Sequence, residues 1–174
     1  MPALTNDRLT PSRNAEYADY PVRASTVIYS GALVAFITSG TGAGNAVPAS
    51  DAANRAILGV AQARADNSQG TDGATRVVVA FNRAFKFNLS GSAAPGDIGR
   101  CVYAVDDNTV SLSPGASGVK VGKLLAIDPD GVWVYIHTPA PPNRAATNTV
   151  DNTYDANEAA VIISLRDLLN NYTI

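Results

Sequence analysis

Two stretches of the chain carry one pattern of apolar and polar positions. The first reads Ile57-Leu58-Gly59-Val60-Ala61-Gln62-Ala63, then a polar loop, then Arg76-Val77-Val78-Val79-Ala80-Phe81. The second reads Val121-Gly122-Lys123-Leu124-Leu125-Ala126-Ile127, then Asp128-Pro129-Asp130-Gly131, then Val132-Trp133-Val134-Tyr135-Ile136. Each is an apolar residue, a glycine, an apolar strand, a turn and a valine-rich strand. Short β-branched runs bounded by turn residues read as hairpins, and Asp130-Gly131 is the strongest turn signal in the chain. Two hairpins of one design predict an all-β body, a small β-barrel or sandwich built by repetition.

Other strands surround them. Residues 22–29 alternate with period two, as a half-buried strand does. Ser30-Gly31 makes a turn, and Ala32-Leu33-Val34-Ala35-Phe36-Ile37-Thr38 is apolar throughout, a strand buried on both faces. Residues 39–45 and 48–54 are loops, the second with room for a helical turn. The connection 64–73 is long and polar, so it should be exposed and mobile. Residues 75–89 are too long for one flat strand. A bend near Asn82-Arg83 is expected, with Phe81, Phe85, Phe87 and Leu89 as an inner row. A strand at 97–105, a turn at Asp106-Asp107-Asn108 and a return at 109–113 lead to the second hairpin. The total is about eight strands with turns at short intervals.

The ends follow different rules. Residues 1–21 are polar, hold Pro2, Pro11 and Pro21, and show no period. They read as an extended N-terminal arm, with Tyr17 and Tyr20 near its end as anchors. The β-domain spans residues 22–138, and a Pro-rich, polar linker follows at 139–154. Residues 155–174 then change period. Asp155 can cap a helix, with Glu158 three residues on. Val161, Leu165, Leu168 and Tyr172 follow 4-3-4 spacing, and Ile162 and Leu169 widen the stripe. This predicts a C-terminal amphipathic helix of about four turns, marginal alone in water. It must dock on something, and the stiff linker favours copies of itself.

Composition narrows the function. The chain has 174 residues and is 46% apolar but only 16% charged, against about 25% in a typical domain. Such a surface suits a protein packed against partners. A net charge of −2 argues against a nucleic-acid binder, which needs a basic stripe. Cys101 and His137 are the single cysteine and histidine, so an intrachain disulfide, cysteine zinc clusters and two-histidine schemes are excluded. No apolar run reaches a membrane span, and residues 1–8 lack the basic start and apolar block of a signal peptide. Manufacture in a cytoplasm is expected.

Candidate chemistry is sparse. Gly40-Thr41-Gly42-Ala43-Gly44 is followed by Asn45-Ala46, where a phosphate loop needs Lys and then Ser or Thr. Asp128-Pro129-Asp130-Gly131 lacks the remaining ligands of a calcium loop. Asp106 and Asp107 sit where turns use Asp anyway. His137 reads as a packing or surface residue, Cys101 as an inert buried thiol, and Trp133 more readily as core than as an exposed contact. No catalytic, metal or cofactor constellation emerges.

Some of these residues carry a resemblance. Ala56-Ile57-Leu58-Gly59-Val60-Ala61 with Val77-Val78-Val79, then Asp97-Ile98-Gly99-Arg100-Cys101-Val102-Tyr103, then Val121-Gly122-Lys123-Leu124 with Gly131-Val132-Trp133-Val134-Tyr135-Ile136 resemble the capsid decoration (cement, or head-fibre) proteins of tailed bacteriophages. The likeness covers roughly residues 22–138. The C-terminal helix is similar to the tail by which some head-fibre members trimerise. The resemblance implies a non-enzymatic virion protein that binds the major capsid protein on the outside of the shell, as a homotrimer. Capsid contact is then expected from the arm, at Thr5, Leu9, Tyr17 and Tyr20, and from loops at one end of the barrel. Self-association is expected from Val161, Ile162, Leu165, Leu168, Leu169 and Tyr172. Two other readings stand beside it. One is a phage tail or fibre-base β-domain. The other is a carbohydrate-binding module using Tyr103, Trp133 and Tyr135.

Overall fold

The computed structural model describes residues 15–137. The chain divides into two units, Met1–Asn143 and Arg144–Ile174, and the second lies outside the described residues, as do residues 1–14. The expected linker and C-terminal helix are therefore not placed.

The described chain is all-β. Its strands are β1 (Tyr17–Pro21), β2 (Thr26–Ile28), β3 (Leu33–Ile37), β4 (Ala46–Pro48), β5 (Arg55–Ala61), β6 (Ala65–Asn67), β7 (Arg76–Ala80), β8 (Arg83–Ser90), β9 (Cys101–Ala104), β10 (Thr109–Ser111), β11 (Lys120–Asp128) and β12 (Gly131–Ile136). They form an open sheet in the order β1-β7-β5-β3-β4, a closed barrel in the order β10-β8-β12-β11-β9, and a ribbon of β2 and β6. The first repeated hairpin, β5 with β7, lies in the open sheet. The second, β11 with β12, lies in the barrel.

The repeated glycines mark a repeated device. In β3–β5 pairing, Val34 faces Gly59 and Ala35 faces Ile57, so Leu58 is skipped. In β9–β11 pairing, Tyr103 faces Lys120 and Val102 faces Gly122, so Val121 is skipped. Each glycine therefore sits at a β-bulge, which bends a strand and sharpens its twist. A Cβ on Gly59 would stand inside the Ala80 carbonyl, and one on Gly122 inside the Tyr135 carbonyl. The glycine is required because the partner backbone occupies the place of a side chain.

Two apolar cores result. Leu33, Ala35 and Ile37 of β3, with Ile57 and Val60 of β5, join barrel residues such as Phe87, Val102, Leu124, Val134 and Ile136. Val34, Leu58, Ala61, Val77 and Val79 turn to the other face and pack with Val22, Ile28 and Ala65. The layers are thus ribbon, open sheet and barrel, with β3 and β5 buried on both faces as their unbroken apolar runs predict. The bulge at Gly59 lets Ile57 and Val60 serve one core while Leu58 and Ala61 serve the other. The expected bend is at Asn82, which takes a positive φ of 56°. It carries the chain from β7 in the sheet to β8 in the barrel. Phe81 and Phe87 are buried, and Phe85 and Leu89 pack partly buried against the cluster that holds Phe87.

Several expectations need correction. The end of the predicted arm is strand β1, paired in register with β7 from Tyr17↔Ala80 to Pro21↔Arg76. Its polar, proline-ended sequence hides it because an edge strand has only one neighbour to satisfy. The strand expected at 22–29 is only Thr26–Ile28, interrupted by Ser25 at a φ of 54°. The loop at 48–54 has no helix. The polar connection at 64–73 holds strand β6 and a buried anchor. Asn67 is 2% exposed, and its Nδ2 donates to the carbonyls of Val22, Arg23 and Thr71 at 3.0, 3.0 and 2.8 Å.

Candidate interaction surface

The barrel's outer wall carries exposed aromatic and aliphatic side chains beside lysines. Along β12, Val132, Val134 and Ile136 point inward, while Trp133 and Tyr135 point outward. Trp133 is 36% exposed, which corrects its expected core placement. The alternation of valine and isoleucine fixes the phase, and the aromatic positions take the other face.

Trp133 is held in place. Its indole Nε1 donates to Asp128 Oδ2 at 2.9 Å. Lys86 on β8 faces Trp133 in register, and its Nζ lies 5.9 Å from the ring centroid. That ammonium also pairs with Asp128 at 2.9 Å and with Asp130. Donating hydrogen bonds to Asp130, and then to Asp128, raises the pKa of the Lys86 ammonium above its ordinary value. The Lys86 hydrogen bond, then that of Trp133, holds the Asp128 carboxyl below its usual range, and Lys86 does the same for Asp130. All three groups face water, so salt screens their attraction. Their main effect is to orient the indole.

The same wall continues across two more strands. Tyr135 pairs with Lys123, and Lys123 with Cys101, so the three form a row over β12, β11 and β9. Lys123 Nζ lies 3.4 Å from Cys101 Sγ. Cys101 is only partly buried and faces this wall, a second correction. Tyr103 pairs with Lys120 in the next row. A bulge between Leu124 and Ala126 leaves Leu125 53% exposed. Tyr135 also meets His137 edge to face, with ring centroids 4.6 Å apart.

The wall thus carries aromatic and aliphatic anchors beside lysines. Lys120 and Lys123 have no carboxylate partner among the described residues. Exposed, oriented aromatics are the usual energetic anchors of protein interfaces, and unpaired cations favour an acidic counterpart. Tyr103, Trp133 and Tyr135 are brought onto one wall, as the carbohydrate reading requires. Lys86, Lys123 and Leu125 were not singled out from sequence. Their signal was available in principle, since each neighbours a residue of the inward apolar series, but the bulge at Leu125 is invisible without pairing.

Of the arm residues, Tyr17 and Tyr20 are described, and Thr5 and Leu9 lie outside the described residues. Tyr17 is exposed, with the Arg83 guanidinium 4.9 Å from its ring centroid. Arg83 pairs with Glu16 at 2.7 Å, and that hydrogen bond raises its already high proton affinity. Tyr20 packs partly buried against the core shared by sheet and ribbon. The two tyrosines therefore face different surroundings. Val161, Ile162, Leu165, Leu168, Leu169 and Tyr172 lie outside the described residues.

The remaining candidates resolve as turns. Asp106 Oδ1 accepts from the backbone N–H groups of Asn108 and Thr109 at 2.8 and 2.7 Å. The glycine loop closes on itself through Ala43 N to Gly40 O and Gly44 N to Ile37 O. Among the described residues, no group of three or more His, Cys, Asp or Glu side chains gathers in reach of one ion. Comparison with protein-family models, with curated proteins and with solved structures finds no match for this chain.

Proposed function

We propose that this chain is a non-enzymatic virion structural protein that binds the outer surface of a phage capsid and stabilises it, as a homotrimer. The observation that supports a docking role is the oriented Trp133, set among Lys86, Lys123, Tyr135 and Leu125 on the wall of a closed barrel. The capsid itself, and the trimer, come from the sequence resemblance, while the 4-3-4 apolar spacing at residues 161–172 supports self-association. On this reading each subunit contributes modest contacts, and three linked copies multiply them.

The test is co-sedimentation of the purified protein with expanded heads that lack it. Saturation at a fixed ratio to capsid subunits is expected, with heads made more resistant to heat. Trp133→Ala should weaken binding about tenfold or more, as loss of an aromatic anchor does. It should leave the melting temperature nearly unchanged, because the ring stands outside the core. Absence of binding to intact heads would move the protein to a tail or fibre base. A Leu165→Asp, Leu168→Asp double variant should sediment as monomers, and an unchanged oligomer would remove the helix from the account.

A second reading has one specific observation in its favour. Trp133 offers a partly exposed ring beside the Asp128 and Asp130 carboxylates, and an aromatic face next to acceptors also suits a sugar. A glycan-array screen separates the two, since head binding that survives soluble glycan is protein-mediated.

A further inference from the structure

The open sheet ends in β1 on one side and β4 on the other. The β4 side is covered, since Val22 bridges Ala46 and the Arg23 N–H donates to the Ala46 carbonyl at 3.1 Å. The barrel has no edge because it closes. The ribbon strands are three residues each, too short to be good templates. That leaves β1, which pairs only with β7 among the described residues. Its five residues, Tyr17–Pro21, turn their other side to solvent, and an uncovered strand edge invites another strand. Behind it, β7 reads Arg76-Val77-Val78-Val79-Ala80, with Val78 exposed.

The ladder decides which backbone groups look outward. The Phe81 N–H donates to the Glu16 carbonyl at 3.0 Å, and the Val22 N–H to the Thr75 carbonyl at 2.9 Å. Facing alternates along an antiparallel strand. Between those two points Ala18 and Tyr20 therefore face β7, while Tyr17, Asp19 and Pro21 face away. Two of these outward positions are closed. Pro21 has no N–H to give. At the centre of the edge, the Asp19 carbonyl accepts from Arg76 Nη2 at 2.9 Å, and Arg76 Nε donates to Asp19 Oδ2 at 2.5 Å. Arg76 faces Pro21 in register, so its guanidinium reaches across β1 to bond that outward carbonyl. Both partners are half exposed, and an ion pair so placed adds little stability. What it does is occupy the edge.

We propose that Arg76, Asp19 and Pro21 form an edge guard that keeps β1 of one copy from pairing with β1 of another. A second copy running antiparallel through the centre of this edge has to expel the guanidinium from the Asp19 carbonyl. It then sets Asp19 against its own counterpart, and like charges directly opposite one another repel. Toward the end of the strand it meets Pro21, where the donor is missing. The guard matters most where many copies gather, as on a shell. It acts in the free protein all the same, so it does not depend on the shell reading.

The experiment uses the full chain without heads. Sedimentation equilibrium compares wild type with an Asp19→Thr, Arg76→Thr double variant at equal concentrations. The variant should reach about twofold the wild-type mean mass or more, because a self-complementary contact joins assemblies in pairs. Amide exchange should slow over Tyr17–Pro21 in the variant, with β7 as protected as in wild type. A third chain, Asp19→Pro with Arg76→Thr, loses the guanidinium and also the outward N–H at position 19. Proline at an edge blocks pairing there, so its mass should return to the wild-type value. A double variant with wild-type mass overturns the proposal. So does a mass gain that the proline chain keeps, or one without slower exchange in β1, because association then arises elsewhere than at this edge. Head binding enters none of these readings, so the shell proposal and the edge guard fail separately.

Discussion

At the scale of single residues, the two repeated glycines share one constraint, which Gly131 also meets at the Phe87 carbonyl. Gly59 and Gly122 are each crowded by a partner-strand carbonyl, and Gly59 also has a φ of 146°. Gly44 has a φ of 87° but open space around it. Alanine at Gly59 or Gly122 must push two strands apart, so each should cost on the order of 3 kcal/mol and lower the melting temperature by roughly 10 °C. Alanine at Gly44 meets only the left-handed backbone penalty, about 1 kcal/mol. Thermal melts of the three variants check this ordering, and equal losses would mean that the bulges are not what selects glycine. Lys86 supplies a pH signature. Its partners, Asp128 and Asp130, are held below their usual range in the folded state. Their contribution is therefore present above the unfolded carboxylate range and is lost as pH falls through the folded values. The Lys86 contribution has the opposite sense, present at neutral pH and lost only as pH rises through its raised value. Lys86→Met should flatten the acid limb of the stability curve below about pH 4, read as melting temperature against pH, while the wild-type limb stays steeper.

At the scale of elements, legibility followed neighbours. The strands β3, β5, β7, β8, β11 and β12 were readable because their apolar runs fill a core on one or both faces. Strands β1, β4 and β6 were not, because each is short and takes its identity from a partner. β6 reads Ala65-Asp66-Asn67, which looks like loop, yet Asn67 is buried as the polar tie between two segments. Trp133 and Cys101 were misplaced for a related reason. A run of apolar residues does not say which phase faces inward until valine and isoleucine on the neighbouring strands vote. The candidate wall was therefore only half visible: its aromatics could be named, and its lysines could not. Strand β1 gives the test. Arg76 bonds the Asp19 carboxylate at 2.5 Å and the Asp19 carbonyl at 2.9 Å, and Asn82 bonds the Ala15 carbonyl at 2.7 Å. A chain beginning at Ala15 should melt within a few degrees of wild type, while one beginning at Val22 bares the β7 edge. The second should melt lower and aggregate, seen by light scattering during the melt. If both truncations melt alike, β1 is an ornament on the sheet.

At the scale of the whole described body, sheet and barrel share one apolar cluster. Leu33, Ile37 and Ile57 of the sheet lie in it with Phe87, Leu124 and Val134 of the barrel. Each such side chain contributes about 1.5–3 kcal/mol when removed from water, so neither half can leave without exposing the other's contacts. The chain crossings point the same way. The β7–β8 run passes from sheet to barrel at Asn82, and the Leu33 N–H bonds the Asp107 carbonyl at 2.7 Å. Unfolding in one cooperative step is therefore expected. Trp133 is the single tryptophan and reports the barrel alone, while amide exchange at Val34 and Leu58 reports the sheet. Fluorescence and exchange should give one midpoint in denaturant. Substituting Leu33 by Ala, in the sheet, should shift the Trp133 midpoint as far as the sheet's own. A Trp133 transition left in place by that change would mean two independent cores. The repeated hairpins would then be two folding units joined by a bend.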